Sequence, residues 1–270
     1  MKNIIDFYNE NGYYIFKDVF TTNFCKELND YLETLEIKRF IPYSNSPWGW
    51  GNLLDNGPFS EVTKNKILNK ILNTFCMEIF GSSNYVFPNM MVNNKAAWIG
   101  PDVEWHREIF NVDTYAPGYT QSDWKSFMNI YVALDKQTKE NGCLMVYGKS
   151  HKIKNLNHED MIDGNLGHKR RVKSEDMKLV DSSSDLVHAE MEVGDVLVFT
   201  HKTVHGSNTN KGPDNRKSIV LGARHNIKPI NEEIYKQSTK YREDFIRESL
   251  QRVIDKIDGS LYADFNQDKK

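Results

Sequence analysis

Gly194-Asp195-Val196-Leu197-Val198-Phe199-Thr200-His201-Lys202-Thr203-Val204-His205-Gly206-Ser207, followed by Asn208 and, after a short polar loop, by Arg216-Lys217-Ser218-Ile219-Val220-Leu221, is the stretch the rest of the chain must serve. A β-branched apolar run leads through a second extended segment to a histidine, and an arginine then opens another apolar run. The reading is two neighbouring strands joined by the loop from Asn208 to Asn215. An imidazole and a guanidinium on adjacent strands can face one interior, which is what a metal site with a carboxylate-bearing co-substrate needs.

Outward from this stretch the same period of two recurs. Tyr85 to Asn93, Val103 to Ile109, Ser126 to Leu134, Cys143 to Tyr147 and Leu186 to Met191 are short β-type segments, separated by turn formers such as Asn141-Gly142. Many short strands without helices alternating between them predict a mainly β protein with flanking helices, a double-stranded β-helix or jelly roll of the cupin kind. The helices come first and last. A helical turn at Ile4 to Tyr8 precedes a strand at Tyr13 to Phe20; Thr21 or Thr22 caps a helix reaching about Leu35; Ser60 to Phe80 is amphipathic; and a terminal helix is expected over about 231–257. Residues 151–185 are polar and read as a long surface excursion between strands. Pro42 to Pro58, rich in Ser, Asn, Gly and Pro, carries Trp48 and Trp50, which suit either a loop pinned onto the body by its tryptophans or a lid or wall of a substrate pocket. No linker or repeat divides residues 1–270, so one domain is expected.

Composition excludes several classes. The net charge of -2 on 270 residues offers no basic face for nucleic acid or an anionic membrane. Cys25, Cys76 and Cys143 lack any CxxC spacing, so neither a disulfide framework nor a thiolate zinc site is expected. No apolar run approaches the length of a membrane span. A soluble cytoplasmic protein with no obligate protein partner, acting on a small molecule, is the expectation.

Two histidines and a carboxylate on one side of a metal leave open positions and select ferrous iron in oxygenases. His-x-Asp/Glu on a strand supplies two of them, because alternation points both side chains to one face. With eight histidines and 37 acids, about one such triplet arises by chance. His106/Glu108, His158/Asp160 and His188/Glu190 all qualify. His188 lies only a hairpin away from His205, and His158 sits where strand periodicity is missing. His106/Glu108, flanked by Trp105 and Ile109-Phe110, is the best placed. His201 competes with His205 because both share a parity, and the spacing to Ser207 and Arg216 favours His205.

Taken together the motifs resemble the phytanoyl-CoA dioxygenase family of iron(II) and 2-oxoglutarate dependent oxygenases. Phe7 to Phe16 resembles its opening helix and strand, and Met91-Val92-Asn93-Asn94-Lys95 the strand before the first ligand. Trp105-His106-Arg107-Glu108 occupies the His-x-Asp position. Asn141-Gly142-Cys143-Leu144 with Gly148-Lys149-Ser150-His151 is similar to the central block, and Gly194 to Arg216 to the closing one. The resemblance implies iron ligands at His106, Glu108 and His205, and 2-oxoglutarate contacts at Arg216, Ser207, Tyr131 and Met91. It implies an oxidoreductase that consumes dioxygen and 2-oxoglutarate and releases succinate and carbon dioxide, most simply by hydroxylating an unactivated C–H bond. Desaturation or oxidative cyclisation in natural-product biosynthesis is the alternative outcome. Glu108 departs from the usual aspartate by one methylene. Trp48, Trp50, Arg107 and Arg224 are candidate substrate contacts, and a small polar metabolite is the expected substrate. The rival from another class is a non-catalytic β-sandwich binding module, which would bind no ferrous ion.

Overall fold

The computed structural model describes residues 1–34, 46–48, 70–98, 100, 102–108, 127–160 and 170–225. Within them the extended segments settle into two facing sheets. The larger runs in the order β1 (Tyr13–Phe16), β10 (Val196–Thr200), β5 (Phe127–Ala133), β12 (Arg216–His225), β3 (Tyr85–Lys95), β2 (Ser46–Trp48). The smaller runs β4 (Val103–His106), β11 (His205–Ser207), β6 (Leu144–Gly148), β9 (Asp185–His188). Every pairing among the described strands is antiparallel. From β3 to β6 and again from β9 to β12 the chain changes sheet at each step, the winding of a double-stranded β-helix. The expected fold class holds.

Why β10 reads as a continuous apolar run follows from its position. Val196 and Val198 face a helical layer and pack with Ile130, Val132, Ile219 and Leu221 against Tyr8, Leu28, Leu72 and Phe75. Leu197 and Phe199 point the other way, with Tyr131, Ala133 and Val220, toward Leu144, Val146 and Ala189 of the smaller sheet. A central strand covered on both faces has no polar side to show. The layer consists of α1 (Lys2–Asn11), α2 (Thr22–Thr34), whose first turn is capped by the Thr21 hydroxyl, and α3 (Lys70–Phe80). Phe75 is fully buried, edge-on to Tyr8 at 5.0 Å and to Phe16 at 5.3 Å between ring centroids. Phe75→Ala is therefore expected to cost about 3–5 kcal/mol, read from the shift of a denaturant midpoint at unchanged slope.

Several expectations need correcting. The strands carrying His205 and Arg216 are not neighbours: β11 pairs with β4 and β6 in the smaller sheet, and β12 with β3 and β5 in the larger. The 208–215 loop carries the chain from one sheet to the other, so imidazole and guanidinium belong to opposing sheets. The first helix spans Lys2–Asn11, longer than the single turn expected, and closes at Gly12, whose N–H donates to the Tyr8 carbonyl. β1 stops at Phe16 because Asp195, in the buried turn before β10, takes hydrogen bonds from Lys17 Nζ and the Asp18 N–H. Ile71, an apolar residue of the amphipathic segment expected from Ser60 to Phe80, is exposed.

Nor is the 151–185 segment a plain surface excursion. A two-stranded ribbon, β7 (His158–Asp160) with β8 (Arg170–Val172), and α4 (Ser174–Ser183) fold over a small core of Tyr147, Leu156, Val172, Val180 and Val204. Its apolar residues stand too far apart in sequence to register as a period. Trp48 pairs with Val92 at the sheet edge. Trp50, the remainder of 42–58 other than 46–48, residues 60–69 and the helix expected at about 231–257 lie outside the described residues.

Candidate metal and co-substrate site

β4 ends at His106, directly opposite His205 of β11, so two imidazoles from distant parts of the chain become cross-strand neighbours with ring centroids 4.1 Å apart. Glu108 follows in the turn beyond β4, its N–H donating to the His201 carbonyl at 3.0 Å. Its Oε1 lies 3.6 Å from Nε2 of each histidine. One ligand atom from each of the three residues falls within 4.8 Å of the other two, a group that could hold a metal ion. Both rings are fixed from behind. His106 Nδ1 donates to the Glu104 carbonyl at 2.7 Å and His205 Nδ1 to the Thr203 carbonyl at 2.9 Å. A carbonyl can only accept, so each Nδ1 carries a hydrogen, and Nε2 is the nitrogen turned toward Glu108 and the one that can bind a metal once it carries no proton.

Electrostatics complete the donor set. Burial alone would raise the Glu108 carboxyl, but in the metal-free site Nε2–H donation and the charge of His106 and His205 when protonated outweigh it and hold the group well below the usual carboxylate range. Burial and the neighbouring His106 lower His205. Neutral imidazole and ionised carboxylate are the ligand forms a divalent iron requires. The extra methylene of Glu108 is absorbed by its place in the turn and not by a displaced strand. Glu108→Asp is expected to withdraw the carboxylate from both rings and weaken metal binding by about 10–100-fold, measured by titration with manganese(II) or iron(II).

Across the interior, Arg216 is buried at the start of β12. It donates through one terminal nitrogen to the Tyr131 hydroxyl and, at 2.9 Å, to Gln137 Oε1. Both partners are neutral, and the guanidinium Nε is buried without a hydrogen-bond partner. Such a donor suits an anionic acceptor. Ser207, buried at the end of β11, accepts from Lys95 Nζ at 2.8 Å. Met91 lies opposite Val220 in the β3–β12 register.

The competing triplets separate cleanly. His201 donates through Nδ1 to the Phe127 carbonyl at 3.0 Å and is not in the cluster. His158/Asp160 sits on the ribbon, and His188 on the outer strand of the smaller sheet. Arg107, expected as a substrate contact, is instead buried and donates to the carbonyls of Ser150 and Ile153, tying the metal turn to the segment after β6. Arg224 is half-buried near the far end of β12, opposite Phe127. Sequence reasoning missed Gln137 and Lys95. Gln137 stands just outside β5, where no periodicity points to it; Lys95 could have been found, since it shares the parity of Met91 and Asn93.

Residues 8–218 match the family described as Phytanoyl-CoA dioxygenase (PhyH). The chain belongs to the phytanoyl-CoA dioxygenase family. It is thus a 2-oxoglutarate-dependent dioxygenase, and its His-Glu-His cluster could hold a metal ion. Dioxygenase aneA of Aspergillus aculeatus is 26% identical over 240 residues, covering 82% of this chain and 71% of that protein. A probable phytanoyl-CoA dioxygenase of Caenorhabditis elegans is 36% identical over 90 residues, 33% of this chain and 28% of the relative. Among solved structures, EctD from S. alaskensis with 2-oxoglutarate and 5-hydroxyectoine superposes with a TM-score of 0.63 at 18% identity, over 83% of this chain and 76% of that one. The epimerase SnoN, in complex with Fe3+, alpha ketoglutarate and nogalamycin RO, gives 0.61 at 15% identity, over 83% and 82%. At these identities the structural likeness speaks for the fold of the dioxygenase family. No described helix is long and apolar enough to cross a membrane.

Proposed function

We propose that His106, Glu108 and His205 hold ferrous iron, that Arg216 with Ser207 and Tyr131 grips the distal carboxylate of 2-oxoglutarate, and that the enzyme hydroxylates an unactivated C–H bond of a small polar metabolite. The observation that carries the reading is the pairing of a His-Glu-His cluster on one sheet with a buried arginine on the other, whose Nε has no acceptor. Bound iron supplies oxygen activation, coupled to decarboxylation of 2-oxoglutarate to succinate. The chain's own residues orient and enclose: the two Nδ1 donations fix the imidazoles, and Phe199, 4.7 Å from the His205 ring, closes the interior beside them. Met91, Trp48, Trp50 and Arg224 stay in this reading as pocket contacts.

A polar substrate is supported by what borders the metal on the larger sheet. Asn129 pairs with Phe199 in the β5–β10 register, and its Nδ2 is buried without a partner. His201, two residues beyond Phe199, holds its Nε2 buried and equally unpartnered. A donor and an acceptor left unmatched in an apolar interior suit a ligand bearing hydroxyl, amine or amide groups. Three buried free cysteines accord with a reducing cytoplasm. A second reading keeps the same site but ends in cyclisation or desaturation, favoured by the likeness to the carbocyclase SnoK from nogalamycin biosynthesis, TM-score 0.61. Succinate formation under air that depends on both iron and 2-oxoglutarate tests the common core, and its absence would sink both readings. Mass spectrometry of converted metabolites then separates them: gain of one oxygen marks hydroxylation, loss of two hydrogens the alternative.

A further inference from the structure

Lys95 is the least expected side chain in the interior. It ends β3 directly opposite Arg216 of β12, is 0% exposed, and crosses from the larger sheet to the smaller. There its Nζ donates to Ser207 Oγ at 2.8 Å and to the Asn208 carbonyl. Its stem runs through a channel that two glycines leave open. A Cβ on Gly100 would stand 2.3 Å from Lys95 Cγ, and one on Gly142, where φ is +70°, would stand 3.2 Å from Lys95 Cδ and 2.2 Å from the Asn208 carbonyl oxygen. The chain thus keeps side chains away from this path.

Charge shows what the lysine lacks. Lys95 and Arg216 are two buried cations side by side, and neither forms an ion pair with a carboxylate among the described residues. Arg216 has the Tyr131 hydroxyl and Gln137 Oε1; Lys95 has a hydroxyl and a carbonyl. Buried charge of one sign is costly unless a counter-ion arrives or a proton leaves. We infer that Lys95 is a second cation of the co-substrate pocket, acting with Ser207 as its relay and with Arg216 to hold the distal carboxylate of a bound 2-oxo dicarboxylate. The inference rests on the 2-oxoglutarate reading above and adds a positioning residue to it. The Ser207 oxygen accepts from Nζ, which frees its own hydrogen for the carboxylate.

Protonation follows from the same geometry. Burial, and after it the charge of Arg216, lowers Lys95 from its ordinary value to about 6 while no anion is bound; Asp102 and Cys143 act weakly in the opposite direction. A carboxylate brought between the two cations favours the ammonium form, so above pH 6 binding of 2-oxoglutarate takes up a proton. Affinity is then greatest near or below pH 6 and falls by up to about tenfold for each pH unit above it, until the lysine of the complex itself deprotonates.

Calorimetric titration of 2-oxoglutarate into the manganese(II)-loaded protein tests this without relying on turnover. With buffers of different ionisation heat at pH 8, the parent is expected to take up close to one proton per ligand. Lys95→Met should weaken binding about tenfold or more near pH 6 and abolish both the uptake and the pH slope. Lys95→Arg, with a cation that keeps its proton, should retain affinity and lose the slope. Pyruvate, which lacks the distal carboxylate, should bind parent and Lys95→Met alike. Proton-neutral binding by the parent that Lys95→Met leaves equally tight, or equal loss of 2-oxoglutarate and pyruvate affinity in Lys95→Met, makes the lysine a structural strut and overturns the inference. Should Lys95→Met fail to fold, the parent's proton count and the Lys95→Arg slope decide. No 2-oxoglutarate binding by the parent at all is a different failure, that of the functional reading beneath.

Discussion

His205→Ala is expected to abolish succinate formation and to weaken metal binding by more than the roughly 10–100-fold that loss of a ligand's supporting partner costs. The reason is geometric. His106 and Glu108 come from one short segment, and His205 is the sole described residue that closes the triangle from elsewhere in the chain. Without it an imidazole and a carboxylate remain, a pair that water competes with easily. The change also leaves the Thr203 carbonyl without its donor, at a stability cost of about 1–3 kcal/mol, so the variant should stay folded at room temperature. Titration with iron(II) under anaerobic conditions, beside a melting curve, separates the two effects. His201→Ala is the control: it sits on the same parity, four residues earlier, but outside the cluster, and metal affinity should survive. If His205→Ala bound iron and formed succinate like the parent, the ligand assignment would be wrong.

That control marks where sequence reasoning could and could not reach. Most strands of the two sheets and the helical flank were legible, though not β2, β7 or β8, because β5, β10 and β12 carry long apolar runs that only a doubly covered sheet explains. The His106-Glu108-His205 cluster was legible as a group because two of its members share a period-two pattern and the third precedes Ser207 and Arg216 at a telling distance. What period cannot supply is the partner of each strand. Nothing local to Val204 or Asn208 says that the chain leaves one sheet for the other, so the expected pairing of the His205 and Arg216 strands does not hold, although both side chains are buried in the interior between the sheets. Buried polar groups fared worst. Lys95 reads only as the end of a strand, Gln137 draws no notice and Arg107 reads as a substrate contact, since burial of a charge depends on partners from other segments. The polar 151–185 segment was misread for a related reason: Leu156, Val172 and Val180 find their core only after the ribbon and α4 have formed.

Arg216→Ala carries the other large effect, on the co-substrate and not on the metal. Removing one member of a desolvated charge pair costs about 2–5 kcal/mol, which corresponds to roughly 30-fold to several thousand-fold in the dissociation constant of 2-oxoglutarate. Metal affinity should change little, because Arg216 stands on the opposite sheet from His106 and His205 and outside the cluster. Arg216→Lys keeps a charge but loses the planar fork that reaches Tyr131, Gln137 and the ligand together, so it should recover only part of the loss. The size of the effect should itself depend on pH. Burial first and Arg216 second keep Lys95 near 6; with the guanidinium gone, the lysine holds its proton to higher pH and can substitute for part of the missing charge. The ratio of dissociation constants, variant over parent, should therefore be larger near pH 6, where the parent has both cations, than near pH 8, where its lysine must first be charged. A ratio that is flat or rises across that range would show that the guanidinium does not set the protonation of Lys95 and that the two side chains act on the carboxylate independently.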